Sequence, residues 1–240
     1  MNNNVERIYD EARKRRETKK KVSKVWLLVF FALVKGVLAG IMISIGSAIY
    51  LNTASRYVGS ALFSLALIII FSYGFSLFTV KVCYIPVQSK TERLMLLPAL
   101  FGNFLGAFLT GGLFSLTRLA PKLSSRATEI CNESFSGGML SLLVLSFFCG
   151  LLIFAAADIF KNSKGDSLKY LTVVAVSMII LIFGFEHSIS SIFYQAVSGR
   201  TWTLNTFLYI FVMTVGNALG GVLIPLCHKF IELVKKSYKI

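Results

Sequence analysis

His187 is the residue best equipped for chemistry in this chain. It stands in the run Phe183-Gly184-Phe185-Glu186-His187-Ser188-Ile189-Ser190-Ser191, inside an apolar stretch. An ionisable group within such a stretch is expensive to keep, so it marks a functional site. Imidazole both donates and accepts hydrogen bonds and titrates near neutral pH. A second interrupted apolar run reads Phe71-Ser72-Tyr73-Gly74-Phe75-Ser76-Leu77-Phe78-Thr79-Val80-Lys81. Thr79 offers a hydroxyl there, opposite His187 if the two breaks face each other. Glu186 reads as an anchor of its break rather than a substrate contact, because a carboxylate repels an anion. Lys35 and Lys81 lie within apolar runs and Arg126 precedes the fourth, and each could concentrate anions at a pore mouth. The four cysteines form no CxxC pair and no ligand spacing with His187 or His228, so neither a metal nor a cofactor is expected.

These residues need elements to position them. The chain has 240 residues, 55% hydrophobic and 15% charged, with a mean hydropathy of +0.72. Ordinary soluble domains carry about 25% charged residues. Apolar runs lie at 25–50, 59–88, 94–116, 134–158, 171–198 and 203–227. Each is long enough for a hydrocarbon core that needs roughly 20 residues. The sequence therefore predicts an all-α membrane protein of six spans, with the second and fifth broken. Residues 1–24 form a basic cytoplasmic arm, read as a helix at or near the membrane surface. Residues 25–228 form the membrane domain and 229–240 a cytoplasmic tail.

With both termini inside, eighteen Lys and Arg fall in cytoplasmic segments and five in outside loops, which sets the orientation. The net charge of +14 follows topology and anionic-lipid contact rather than nucleic acid. The expected location is the cell (inner or plasma) membrane.

The halves repeat. Gly102-Asn103-Phe104-Leu105-Gly106-Ala107-Phe108-Leu109 and Gly216-Asn217-Ala218-Leu219-Gly220-Gly221-Val222-Leu223 share five of eight positions. With three spans in each half the second copy is inverted, an architecture of transporters and channels. Asn103 and Asn217 could tie the broken segments to the outer helices, while the glycines allow close helix contact. A water or glycerol pore would show NPA pairs. The prolines are Pro86, Pro98, Pro121 and Pro225, and none follows an Asn. Only Glu186 and His187 would be available to a membrane enzyme, so no enzyme is expected. A non-transporting scaffold or receptor is the alternative outside transport.

Five motifs in order carry a family resemblance: Lys35-Gly36-Val37-Leu38-Ala39-Gly40, Leu77-Phe78-Thr79, Gly102-Asn103 with Gly106, Gly184-Phe185-Glu186-His187-Ser188-Ile189, and Gly216-Asn217 with Gly220-Gly221. The chain resembles the formate/nitrite transporter family of pentameric, aquaporin-like anion channels. The resemblance implies a channel for small monovalent weak-acid anions, formate or nitrite foremost, with hydrosulfide, acetate or lactate as alternatives, in a homopentamer. It implies that Thr79 and His187 face each other at the pore centre and that Asn217 orients the histidine. It implies apolar constrictions at Phe63 and Leu67 on the cytoplasmic side, Leu77 towards the outside, and Ile180. It places Arg126 in the outer vestibule. The sequence departs from the family pattern at Ser76, Val80, Lys81, Leu142 and Ser191, which thins the expected polar network.

Overall fold

The structure, a computed structural model, describes residues 2–238, with side chains at Val22 and from Lys24 onward. α1 runs from Asn2 to Asn52 without interruption. At 1.5 Å per residue this is about 75 Å, against a hydrocarbon core of about 30 Å. The arm expected to lie along the membrane surface is instead continuous with the first spanning helix. Side-chain contacts of that arm lie outside the described residues.

α2 (Arg56–Tyr73) returns across the membrane and stops at Gly74. Gly74 adopts φ 64°, and Phe75 N–H reaches back to Ile70 O at 3.0 Å. That left-handed residue followed by a six-to-one bond is the Schellman termination, which favours glycine. The chain resumes as α3 (Phe78–Lys81), a 3₁₀ turn (Val82–Tyr84) and α4 (Lys90–Leu94), then α5 (Leu96–Ser115). Ser89 starts α4 with a capping box: its Oγ accepts from Glu92 N–H at 3.3 Å, and the Glu92 carboxylate accepts from Ser89 N–H at 2.8 Å.

α6 (Ala120–Ser136) occupies a stretch read from sequence as an outside loop. Its buried residues Leu123, Ala127 and Cys131 recur every four positions, so one helical face packs on the membrane domain. α7 (Gly138–Asn162) and α8 (Asp166–Ile182) follow. α8 ends on the same device as α2, with Gly184 at φ 70° and Phe185 N–H on Ile180 O at 2.8 Å. The short α9 (Ser188–Val197) resumes after the break, and α10 (Leu204–Tyr238) ends the fold. Among the described residues, five helical segments are long and apolar enough to cross a membrane. The sixth expected span is α8, 17 residues long, completed by α9 beyond its break.

Packing follows the repeat. α1 lies against α5 as α7 lies against α10, and the broken α2 and α8 pack together between the two pairs. Bare backbone makes the outer pairs close. A Cβ built on Gly36 would sit 2.6 Å from Ala99 O. One on Gly150 would collide with Asn217 O, and one on Gly220 with Phe147 O. In lipid, where neighbouring helices gain little hydrophobic drive, such close approach supplies the association energy. Gly150→Ala and Gly220→Ala are each expected to destabilise by about 3 kcal/mol or more, since backbone cannot move aside as a side chain does. Gly112→Ala, which meets nothing within 4 Å, is the control. Melting curves in detergent check this; a Gly220→Ala curve matching that of Gly112→Ala would refute the close-packing account.

Candidate functional site

The two breaks meet at the centre of the molecule. Thr79 lies in α3, one position past its first residue Phe78, and His187 caps the N-terminus of α9. Thr79 Oγ1 and His187 Nε2 are 3.0 Å apart, and both residues are buried. On the other side of the ring, Ser190 N–H donates to His187 Nδ1 at 3.4 Å, and Ser190 Oγ lies 3.0 Å from the same nitrogen. A nitrogen accepting a backbone N–H carries no proton. The neutral ring is therefore protonated at Nε2 and donates to Thr79 Oγ1. The Thr79 hydroxyl proton then has no acceptor among the described residues and is available to a passing ligand.

Two asparagines hold the breaks in matching ways. Asn103 Oδ1 accepts from Phe78 N–H at 2.7 Å, while its Nδ2 donates to Ser76 O at 2.9 Å and Gly36 O at 2.8 Å. Asn217 Oδ1 accepts from Ser188 N–H at 3.0 Å, while its Nδ2 donates to Glu186 O at 2.8 Å and Ser146 O at 2.9 Å. Each satisfies the first N–H of a short helix, a carbonyl in the break and a carbonyl on the facing long helix. Interrupted backbone at membrane depth is tolerable only with such partners. Asn217 touches the backbone on both sides of His187 and not its ring, so it orients the histidine through the main chain. The matched bonds make Leu77 the repeat counterpart of His187. Thr79 corresponds instead to Ile189.

Two cavities approach the pair from opposite faces. The first, about 270 Å³, has Arg56 and Glu133 at its mouth and reaches His187 past Phe63, Leu67 and Ile180. Tyr50, Glu186, Ser190, Ser191 and Tyr194 add polar groups to its wall. Among the described residues, Tyr194 OH and Ser47 Oγ are buried without a hydrogen-bond partner. The second cavity, about 910 Å³, is lined by Lys35, Ser76, Val80, Lys81, Lys161 and aromatic rings. Leu77 and Thr79 line neither cavity and are fully buried, so they form the septum together with His187. A buried septum that separates two cavities is a desolvation barrier to a bare ion.

Several sequence expectations change here. The family resemblance implies Phe63 and Leu67 on the cytoplasmic side and Leu77 towards the outside. α2 begins where α1 ends, so Phe63 and Leu67 share the cavity of Tyr50 and Arg56, at the face opposite the N-terminus. Leu77 lies deeper, between the cavities. Arg126 does not line the vestibule. Its Nη1 donates to Leu51 O at 3.1 Å and Thr53 O at 2.7 Å, which caps the carboxyl end of α1 with a cation. Arg56 is the arginine at that mouth. Glu186 anchors the break through its backbone carbonyl, as its bond from Asn217 shows, yet its side chain lines the cavity. Lys35 and Lys81 both line the opposite cavity.

Ser190 escaped the sequence reading. Its place three residues after the N-cap His187 brings its backbone N–H and hydroxyl to Nδ1, which no residue-type signal marks. Of the departures from the family pattern, Val80 and Lys81 line the second cavity, and the other three leave the Thr79–His187 contact intact. Ser76 uses its backbone to bond Lys35 O at 3.2 Å and Asn103. Leu142 is packed in the core, and Ser191 Oγ donates to His187 O at 3.2 Å.

Comparison with known proteins agrees with this arrangement. The model of the family described as formate/nitrite transporter matches residues 7–231. The Bacillus subtilis (strain 168) protein called uncharacterized transporter YwcJ is 23% identical over 215 residues, covering 79% of this chain and 84% of its own length. A solved pentameric formate channel with formate bound superposes with a TM-score of 0.71 at 20% identity, over 85% of this chain and 98% of that one. An FNT family ion channel superposes at 0.68, also 20% identical, over 89% of this chain and 92% of that one. At these identities the two structures establish the shared fold, while the family match establishes a membrane transport protein rather than an enzyme. The chain belongs to the formate/nitrite transporter family.

Proposed function

We propose that this protein is a channel for small monovalent weak-acid anions, formate or nitrite foremost, each chain of a homopentamer carrying its own pore, with both termini cytoplasmic. The observation that carries the reading is the Thr79–His187 pair, 3.0 Å apart in a septum between two opposed cavities. The solved relatives, one of them described as a pentameric formate channel, support the substrate class and the assembly.

A bare anion crossing the septum would lose its hydration without replacement, a severe cost. Protonation removes most of that cost. The anion collects at a cationic mouth, Arg56 on one face or Lys35 and Lys81 on the other. It reaches the septum, takes a hydrogen bond from the Thr79 hydroxyl, and passes as the neutral acid with a proton from the His187 network or from water. Anions of strong acids should pass poorly. The scaffold alternative loses its main support, because the substituted polar positions lie outside the His187–Thr79–Ser190 chain.

The test is uptake into liposomes of the purified protein. Formate, nitrite, hydrosulfide and chloride are compared with and without an inward proton gradient. Saturable uptake of a weak acid, enhanced by the gradient, is expected, with chloride excluded. Flux of chloride equal to formate would overturn the protonation step, and no flux of any anion would return the scaffold reading.

The two arginines should separate. Arg56→Ala is expected to lower uptake at low ionic strength, with the deficit shrinking in high salt as the mouth's field is screened. Arg126→Ala should leave uptake nearly unchanged and lower stability by about 1 kcal/mol, through the lost bonds to Leu51 O and Thr53 O. Paired flux and melting measurements decide it, and a flux deficit in Arg126→Ala alone would reverse the assignment.

A further inference from the structure

The cavity on the Lys35 face is far larger than a small anion needs. At about 910 Å³ it is more than three times the volume of its counterpart. Sites for drug-sized ligands span roughly 300–1,000 Å³. Lys35, Lys81 and Lys161 line it, and among the described residues none of the three lies within 4 Å of a carboxylate. One carboxylate among the described residues, Glu92, also lines the cavity, so the lysines outnumber it three to one. Glu92 accepts from both Ser89 N–H and Ser89 Oγ at 2.8 Å, closing its capping box. Asp158 accepts from Asn162 Nδ2 at 2.9 Å and from Tyr84 OH at 3.4 Å.

Like charges facing one cavity repel one another, and an anion that meets several of them relieves the repulsion. A monovalent ion cannot serve three lysines at once. The wall between the lysines is aromatic. Phe71 and Phe160 meet at 5.3 Å, and Lys161 Nζ lies 5.3 Å from the centre of the Tyr84 ring. Cations beside aromatic faces suit a ligand that combines a polyanion with an apolar or planar body.

We propose that this cavity binds a multivalent phosphate-bearing anion, larger than the permeant ion, held by Lys35, Lys81 and Lys161. A ligand filling it covers the approach to Leu77 and Thr79 from that face, so it acts as a one-sided blocker. The blocking effect rests on the channel reading above; the binding does not.

Binding is therefore tested first, by calorimetry on the full-length protein in nanodiscs of neutral lipid, with pyrophosphate and ATP as probes. Saturable, salt-sensitive binding is expected, weakened about tenfold or more in Lys81→Ser, retained in Lys81→Arg, and tighter for ATP than for pyrophosphate. Melting curves show whether Lys81→Ser is folded; if it is not, Lys161→Ser takes its place in the same titration. A second arm distinguishes the source of the phosphate. Native mass spectrometry asks whether phosphatidylglycerol stays with the wild type and leaves Lys81→Ser. No binding of either probe, binding indifferent to Lys81 and Lys161, or retention of lipid phosphate alone would each overturn the proposal, and none of them bears on the anion flux. If binding holds, pyrophosphate added at the Lys35 face should inhibit uptake, and added at the Arg56 face should not.

Discussion

His187→Asn is expected to yield a folded protein whose uptake of weak acid no longer responds to a proton gradient. The substitution separates two jobs that His187 performs at once. Its Nδ1 caps α9 by accepting Ser190 N–H, and its Nε2 meets Thr79. Asparagine is among the best helix N-caps, so the break should keep its geometry. An amide, however, does not take up or release a proton near neutral pH. Gradient-driven uptake should fall about tenfold or more, the equivalent of about 1.4 kcal/mol in barrier. His187→Ala should fall at least as far and lose about 1 kcal/mol of stability with the cap. Full proton-coupled uptake in either variant would sink the mechanism. Thr79→Ser, which keeps the hydroxyl, should remain active beside both.

Asn217→Ala is expected to be among the most destabilising substitutions in the chain, and Asn103→Ala should match it. Removing Asn217 leaves Ser188 N–H and the Glu186 carbonyl without their partner in a buried break, and deletes a bond to Ser146 O. An unsatisfied buried group costs about 1–3 kcal/mol. Bonds within membrane bundles average nearer about 0.6 kcal/mol, because the unfolded chain also finds partners. The Ser146 carbonyl belongs to a regular helix and loses least. The expected total is therefore about 3 kcal/mol. The matching bonds of Asn103 to Phe78 N–H, Ser76 O and Gly36 O predict a similar loss. Denaturant titration of detergent-purified protein measures both. A clear inequality would show that the repeat's hydrogen-bond symmetry is not an energetic symmetry. Stability unchanged in both would show that the breaks are held by packing alone.

The class of molecule and the parts of its centre are legible in the residue pattern. Apolar run length set the number of spans, because the bilayer imposes one dimension on every crossing element. The repeated Gly-Asn motifs disclosed the inverted halves, since each break requires the same set of bonds. Glycine, histidine and threonine within apolar runs marked the two breaks, because polar groups persist at membrane depth only for a reason.

Position across the membrane was another matter. That Phe63 and Leu67 lie on the Arg56 side follows from the order of the spans, but that Leu77 sits in the septum depends on where α2 stops and how deeply the chain is then buried, which a residue pattern does not encode. Arg126 and Arg56 look alike in sequence as basic residues near apolar runs. Only the tertiary structure shows one bonded to the end of α1 and the other at a cavity mouth. The same holds for Lys35, Lys81 and Lys161, which are 46 and 80 residues apart in the chain and share one cavity because α1, the segment after the break of α2, and α7 converge there. Local composition chooses the elements and their interruptions; which charges meet across them is fixed only when the helices pack, because long side chains from distant segments can reach a common space that no local spacing describes.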